Sequence, residues 1–219
     1  LVADPRVRGV LFTGSTGVAR VLQRTLAARL TACGDAVPLI AETGGQNAMI
    51  VDSSALLEQV VSDVLASAFD SAGQRCSALR VLCVQAEIAG RLLAMLTGAL
   101  DEWCVGDPRR LATDVGPVID AAAQEAIEAH VAVMRALGHT VTRSGRCDGE
   151  ACDHGCYVAP TIIEIDTLQS LRGEVFGPVL HVLRYEREAL GGLMREINEM
   201  GFGLTLGVHT RIDEVVAHV

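Results

Sequence analysis

The run Gly9-Val10-Leu11-Phe12-Thr13-Gly14-Ser15-Thr16-Gly17 is a short apolar strand that gives way to small residues. A helix is expected to follow through about Thr31. Strand, small-residue turn and helix together aim backbone N–H groups and a helix N-terminus at an anion. Outward from this unit the alternation continues. Strands are expected at Pro38 to Ala41, Asn47 to Val51 and Leu79 to Val84. A helix capped by Ser53 or Ser54 runs to about Phe69. Helices follow at about Glu87 to Leu100 and Ala121 to Leu137, with a strand at His139 to Arg143. Gly145 to Gly155 is polar and reads as an exposed loop. Strands at Tyr157 to Ile165, Val179 to Tyr185 and Leu204 to His209 complete the set, with a helix near Arg187 to Asn198 between the last two. Strands alternating with helices predict an α/β fold with a largely parallel sheet and flanking helices.

The chain has 219 residues, of which 50% are hydrophobic and only 3% aromatic, so the core must be aliphatic. A net charge of −9 argues against nucleic acid as a partner, because phosphate binding wants a basic face. No apolar run reaches the roughly 18 residues of a membrane helix, and no secretory signal is read. All 18 basic residues are Arg. The absence of Lys excludes Schiff-base chemistry and a phosphate-binding lysine from this chain. The chain opens without Met and closes on Arg211 to Val219, which reads as a helix that has only begun; a fragment of a longer polypeptide is expected.

The seven cysteines, Cys33, Cys76, Cys83, Cys104, Cys147, Cys152 and Cys156, are odd in number and irregular in spacing. They fit a reducing cytoplasm better than a disulfide framework. Cys147, Cys152, His154 and Cys156 are close in sequence but lack the paired C-x2-C of a zinc site, so no metal is expected. A zinc-binding interaction module around them is the non-enzymatic alternative. Two other groups carry more chemistry. Cys76 lies in Gly73-Gln74-Arg75-Cys76-Ser77-Ala78-Leu79-Arg80, and Glu42 in Glu42-Thr43-Gly44-Gly45-Gln46-Asn47. A thiol that attacks a carbonyl and a carboxylate that later activates water are the parts of a covalent acyl-enzyme mechanism.

Phe12-Thr13-Gly14-Ser15, Glu42-Thr43-Gly44-Gly45, Gly73-Gln74-Arg75-Cys76 and Glu174-Val175-Phe176-Gly177-Pro178 occur in the order and approximate spacing of the aldehyde dehydrogenase superfamily. Val105-Gly106-Asp107-Pro108 and Asp114-Val115-Gly116-Pro117 resemble it too, so the resemblance covers essentially the whole chain. Ala41 to Ala48, Arg75 to Arg80 and Gly201 to Glu214 are most similar to the L-glutamate γ-semialdehyde (1-pyrroline-5-carboxylate) dehydrogenase part of bifunctional proline-utilization enzymes.

This resemblance implies residues 1–41 as the C-terminal remnant of a Rossmann-like NAD-binding domain, its last strand–helix unit. Residues 42–219 would be an aldehyde dehydrogenase catalytic domain, incomplete at its C-terminus. It implies NAD as cofactor, a small-molecule aldehyde as substrate, a cytoplasmic setting, a covalently linked proline dehydrogenase domain and an oligomeric parent. Cys76 would form a thiohemiacetal that passes hydride to NAD and becomes a thioester, and Glu42 would activate the hydrolytic water. The Cys76 N–H is a candidate oxyanion donor. Thr13, Gly14 and Ser15 match positions around the nicotinamide and pyrophosphate, and Glu174 and Phe176 positions around the nicotinamide ribose. Ser77 resembles a substrate-contacting serine. Arg75 is assigned to the substrate side and could favour thiolate.

The family's oxyanion Asn, adenosine-binding Lys and substrate-anchoring loop have no counterpart in these residues. One oxyanion donor is worth about 10²–10³ in rate, so the chain alone is expected to be weakly active or inactive. Another NAD(P)-dependent aldehyde dehydrogenase, or a Cys-dependent acyl hydrolase, is the alternative. The hydrolase needs a His oriented to the thiol, and no motif marks one.

Overall fold

The computed structural model describes residues 1–31, 33–147 and 150–219. The chain divides into two compact units, Leu1–Gly44 and Gly45–Val219.

In the first unit, β1 (Val10–Thr13) is followed by α1 (Thr16–Ala27) and β2 (Leu39–Glu42). The strands pair in parallel, with Val10 opposite Leu39 and Thr13 opposite Glu42. Ser15 caps α1 by accepting from the Val18 N–H at 3.3 Å. The helix stops at Ala27, short of the expected Thr31. The chain then reverses through Gly34 at φ +87°, and Thr31 N–H donates to Asp35 O at 2.7 Å.

The second unit is a three-layer α/β structure. In chain order it contains β3 (Asn47–Val51), α2 (Leu57–Phe69), β4 (Leu79–Gln85), α3 (Ala86–Asp101), β5 (Cys104–Val105) and α4 (Ala121–Ala136). Then come β6 (Thr140–Arg143), β7 (Arg146–Cys147), α5 (Glu150–Asp153), β8 (Thr161–Ile165), β9 (Val179–Tyr185), α6 (Leu190–Glu199), β10 (Leu206–His209) and α7 (Asp213–His218). Six strands form one sheet in the order β10-β3-β4-β9-β8-β6. All neighbours are parallel except β6, which runs antiparallel to β8.

Period-two alternation sorts the strand side chains between two cores. Met49, Val51, Leu82, Val84, Leu180 and Val182 point to one face, where they meet α2 and α3. Ala48, Ile50, Val81, Cys83, Val179 and Leu183 point to the other, toward α4 and α6. The helices match. Leu57, Val60, Val61, Val64, Leu65 and Ala68 of α2 recur at helical spacing and are buried, as are Ala89, Leu92, Leu96 and Leu100 of α3. The strands can be apolar on both faces because helices cover both.

Two local expectations are corrected. Neither Ser53 nor Ser54 caps α2; Leu56 occupies that position without a side-chain bond, and the Ser54 hydroxyl donates to Asp52 Oδ1 at 2.6 Å. The cysteines are not all free: Cys147 and Cys152 form a disulfide, with Cα atoms 6.3 Å apart. Their five-residue separation lies inside the segment read as a polar loop, where β7 and α5 bring the two together; Asp148 and Gly149 of that segment lie outside the described residues.

His181 is a polar group within the sheet's core. Its Nε2 lies 2.8 Å from His130 Nε2 on α4, and its Nδ1 lies 3.2 Å from Arg80 O. A carbonyl only accepts, so Nδ1 carries the proton and the His130 Nε2–H donates inward. Burial, and next the neighbouring His130, push the His181 pKa down from 6.5 to about 3. The unfolded chain therefore takes up a proton that the folded one refuses, and stability falls as pH drops below 6.5. The slope from this residue is at most about 1.4 kcal/mol per pH unit. Urea unfolding is expected to show a loss of roughly 2 kcal/mol from His181 between pH 6.5 and 5. His181→Gln should remove that portion of the slope. Identical pH dependence in parent and variant would contradict the assignment.

Candidate active site

Cys76 is solvent-exposed on the loop that precedes β4. It occupies the first central position of a turn closed by Ala78 N–H donating to Arg75 O at 3.1 Å. Exposure sets it apart from Cys83, whose thiol is fully buried and pushed up to about 12 by desolvation. A buried thiol of that kind is inert, whereas an exposed one can react.

The loop reaches this turn through an unusual backbone. Ser71, Ala72 and Gly73 are all left-handed, with φ of 57°, 53° and 65°. Non-glycine residues adopt this region at a cost. At Gly73 a side chain is impossible: a Cβ would lie 2.2 Å from Gly177 O. The close approach sets the Cys76 loop directly against the Glu174–Pro178 segment.

Arg80, the second residue of β4, locks that contact. Its side chain has no solvent exposure. Nη2 donates to Glu174 Oε1 at 3.0 Å and to Arg75 O at 3.1 Å, and Nη1 donates to Gly177 O at 3.1 Å. Its guanidinium carbon also stands 5.4 Å from the centre of the Phe176 ring. Desolvation, the largest influence, lowers the Arg80 pKa, and Glu174 opposes it. Glu174 is thus held by one oxygen, and Phe176, 44% exposed, is held from one side.

Gln74 ties down a third segment. Its Nε2 donates to Pro117 O at 3.3 Å, and its Oε1 accepts from Ile119 N–H at 2.7 Å. Asn47 ties a fourth, donating to Cys76 O and Ala78 O and accepting from Thr205 N–H.

The structure brings Cys76, Ser77, Arg75, Glu174 and Phe176 together in the second unit. Thr13, Gly14, Ser15 and Glu42 belong to the first. There Thr13 and Glu42 are strand partners, and Gly14 N–H donates to Glu42 O at 3.1 Å. Ser77 is exposed. Arg75 departs from its expected part: Nη2 donates to Ala66 O and Ser67 O at 2.7 and 3.2 Å, at the C-terminal end of α2. Its guanidinium is committed to the scaffold rather than turned to a substrate. Of the Cys147, Cys152, His154 and Cys156 cluster, two members are consumed by the disulfide. Among the described residues no three metal-ligating side chains converge, and no helix is long and apolar enough to cross a membrane.

Sequence reasoning missed Arg80 and Asn47. Arg80 offered a signal: a basic residue in a run otherwise apolar from Leu79 to Val84 must be buried with partners.

A three-layer α/β unit with an exposed thiol on a braced loop beside a carboxylate-bearing segment holds the kinds of group that a covalent, thiol-dependent mechanism would need. The profile of the aldehyde dehydrogenase family matches residues 1–219, and the chain belongs to that family. It is 62% identical over 222 residues to "Bifunctional protein PutA" of Klebsiella aerogenes, covering 100% of this chain and 17% of that protein. The protein of the same name from Escherichia coli (strain K12) is 61% identical with the same coverage. A crystal structure of bifunctional proline utilization A (PutA) superposes with a TM-score of 0.91 at 51% identity, over 100% of this chain and 22% of that one. The chain therefore spans about a fifth of the length of these relatives.

Removing the Arg80 guanidinium takes the cation from Glu174 Oε1 and one of two donors from each of the Arg75 and Gly177 carbonyls, which keep Ala78 N–H and Val179 N–H. Arg80→Met is expected to cost about 3–5 kcal/mol in chemical denaturation. Arg184→Met, at the half-exposed pair with Glu164, should cost about 1 kcal/mol or less. Equal losses in the two variants would show that the buried arginine is not the stronger tie.

Proposed function

We propose that this chain carries the aldehyde-oxidising site of a proline-catabolic enzyme, one that converts L-glutamate γ-semialdehyde to L-glutamate with NAD. The observation that carries the reading is the exposed, braced Cys76, in a chain 62% identical over its full length to a protein named bifunctional PutA. On this reading Leu1–Gly44 is the end of the cofactor domain and Gly45–Val219 most of the catalytic one. A covalently joined proline dehydrogenase domain and an oligomeric parent belong to the same proposal. A cytoplasmic setting belongs to the same proposal: five thiols are free and support it, and the Cys147–Cys152 bond weighs against it.

The residues fit NAD. Helix α1 has no acidic residue in its first turn, and the Thr16 and Gly17 amides lack partners inside the helix. A pyrophosphate would meet these and the Ser15 hydroxyl; the Gly14 amide is already given to Glu42 O. Glu174 would take ribose hydroxyls through Oε2, since Arg80 holds Oε1. The open face of Phe176 would lie beside that ribose. When bound, NAD supplies the hydride acceptor.

The protein's own part begins with Cys76 Sγ attacking the aldehyde carbon. The oxygen that becomes negative would take the Cys76 N–H. Ser77 would contact the substrate beside the thiol, with Arg75 acting through the scaffold. Oxidation leaves an acyl group on Sγ as a thioester. Glu42 would then remove a proton from water as it attacks that carbonyl, and the thiolate of Cys76 departs.

The hydrolase reading needs a histidine on the thiol. His130 and His181 bond to each other, and His209 pairs with Asp63 at 3.2 Å. Among the described residues no histidine makes a hydrogen bond to Cys76, which favours the dehydrogenase.

In the full-length gene product, Cys76→Ala is expected to abolish NADH formation. Glu42→Ala should keep a first-turnover burst of NADH while steady-state turnover falls by about 10²–10⁴. Stopped-flow absorbance at 340 nm separates the two phases. Full NADH turnover by Cys76→Ala would sink the assignment.

A further inference from the structure

We propose that Asn47 is a positioning residue for the Cys76 nucleophile, a role that rests on the dehydrogenase reading above. Asn47 is the first residue of β3 and only 3% exposed. Its amide nitrogen donates to Cys76 O at 2.7 Å and to Ala78 O at 2.8 Å, and its amide oxygen accepts from Thr205 N–H at 3.1 Å. Two acceptors on one side and a donor on the other admit a single amide orientation. All three partners are backbone groups, so Asn47 holds main chain in place.

The held backbone matters. The turn Arg75-Cys76-Ser77-Ala78 has four carbonyls. Arg75 O is taken by Ala78 N–H and by Arg80, at 3.1 Å each. Ser77 O faces the Thr205 hydroxyl at 3.5 Å. The other two, of Cys76 and Ala78, are both held by Asn47. Fixing the Cys76 carbonyl fixes ψ at Cys76, and with it the direction of the Cα–Cβ bond and of the Cys76 N–H. Those are the two groups that must meet the aldehyde carbon and its oxygen together. The same amide reaches Thr205, in the segment leading into β10, so that segment and the nucleophile loop share one anchor.

Gly45 is part of the arrangement. A Cβ there would lie 2.8 Å from Cys76 O and 2.7 Å from the Asn47 amide oxygen. The space that Gly45 leaves free is the space in which the Asn47–Cys76 bond forms. A scaffold role for Asn47 would need its three hydrogen bonds, but would not require one of them to end on the carbonyl of the residue that carries the thiol.

The full-length gene product tests this with Asn47→Ala and Asn47→Asp. A 1 Å error in placement can cost on the order of 10²-fold in rate. Asn47→Ala is expected to lower kcat by about 10- to 100-fold, with the KM values for aldehyde and NAD changed by less than about threefold. Asn47→Asp should lose more, because a carboxylate would face two carbonyl oxygens. Iodoacetamide labelling provides the control: Cys76 stays reactive and the buried Cys83 stays unlabelled if the fold is intact. Labelling of Cys83 in Asn47→Ala would report unfolding. Thr205→Pro then decides when read against Thr205→Val: both lose the hydroxyl that faces Ser77 O, and only proline also loses the N–H given to the amide oxygen and fixes φ at this exposed residue; kcat of Thr205→Pro is expected to fall by roughly 3- to 10-fold below that of Thr205→Val. Turnover within twofold of the parent in folded Asn47→Ala, or within twofold of Thr205→Val in Thr205→Pro, would overturn the inference. NADH formation that survives Cys76→Ala would instead overturn the dehydrogenase reading, so the two failures are distinguishable.

Discussion

The guanidinium of Arg80 is the constraint on which the second unit's site depends. A charge with no solvent exposure must find hydrogen bonds for its donors or unfold the region around it. Arg80 finds them in one carboxylate and two carbonyls that come from different loops, Glu174, Gly177 and Arg75. Its own carbonyl faces His181 in β9. A single residue therefore couples strand β4, the Cys76 loop and the segment bearing Glu174 and Phe176. Hydrophobic burial holds the sheet and helices together without direction; Arg80 adds the direction that fixes which loop meets which.

Segments far apart in sequence converge by the same device. Gln74 draws in the Pro117–Ile119 backbone, Asn47 the Thr205 backbone, and Arg75 the last turn of α2. In each case a polar side chain bonds to main chain rather than to another side chain. Main chain is present whatever residue occupies the facing position, so such a scaffold tolerates change in the partner but not in the residue that reaches out. Glycine completes it at two points, Gly73 against Gly177 and Gly45 against Cys76, where a Cβ would sit inside another residue's backbone.

The alternation of strands and helices was legible because both faces of the sheet are covered. Leu79 to Val84 and Val179 to Tyr185 read as strands from apolar content alone. Cys76 and Glu42 stood out in the sequence by their glycine-bordered context and family likeness; the structure shows the thiol exposed and Glu42 as the last residue of β2. The α2 cap was misread because Ser53 and Ser54 look like caps, whereas Asp52, invisible to a local rule, captures the Ser54 hydroxyl. The Cys147–Cys152 bond was missed because its spacing matches no framework. Asn47 was quoted only as part of a motif. Nothing local says that an Asn at a strand start will meet a loop 29 residues away. Arg75 was misjudged for the opposite reason: adjacency in sequence suggested adjacency to the thiol, while the side chain runs back to α2.

That last misjudgement has a structural cause in the sheet's polarity. In most open parallel sheets ligands gather at the carboxyl ends of the strands. Here the Cys76 loop precedes β4, the Glu174 segment precedes β9 and Thr205 precedes β10, so these three segments lie at the amino ends. A helix that returns the chain to the start of a parallel strand delivers its C-terminus there, and a helix C-terminus carries partial negative charge. Helix α2 does this immediately before the Cys76 loop. The Cys76 loop therefore follows the helix end that disfavours negative charge. Arg75, donating to Ala66 O and Ser67 O, offsets that charge at its source. A guanidinium committed to the helix end satisfies carbonyls that the helix leaves open and offsets their partial charge, and for this it has no need to touch the Cys76 thiol.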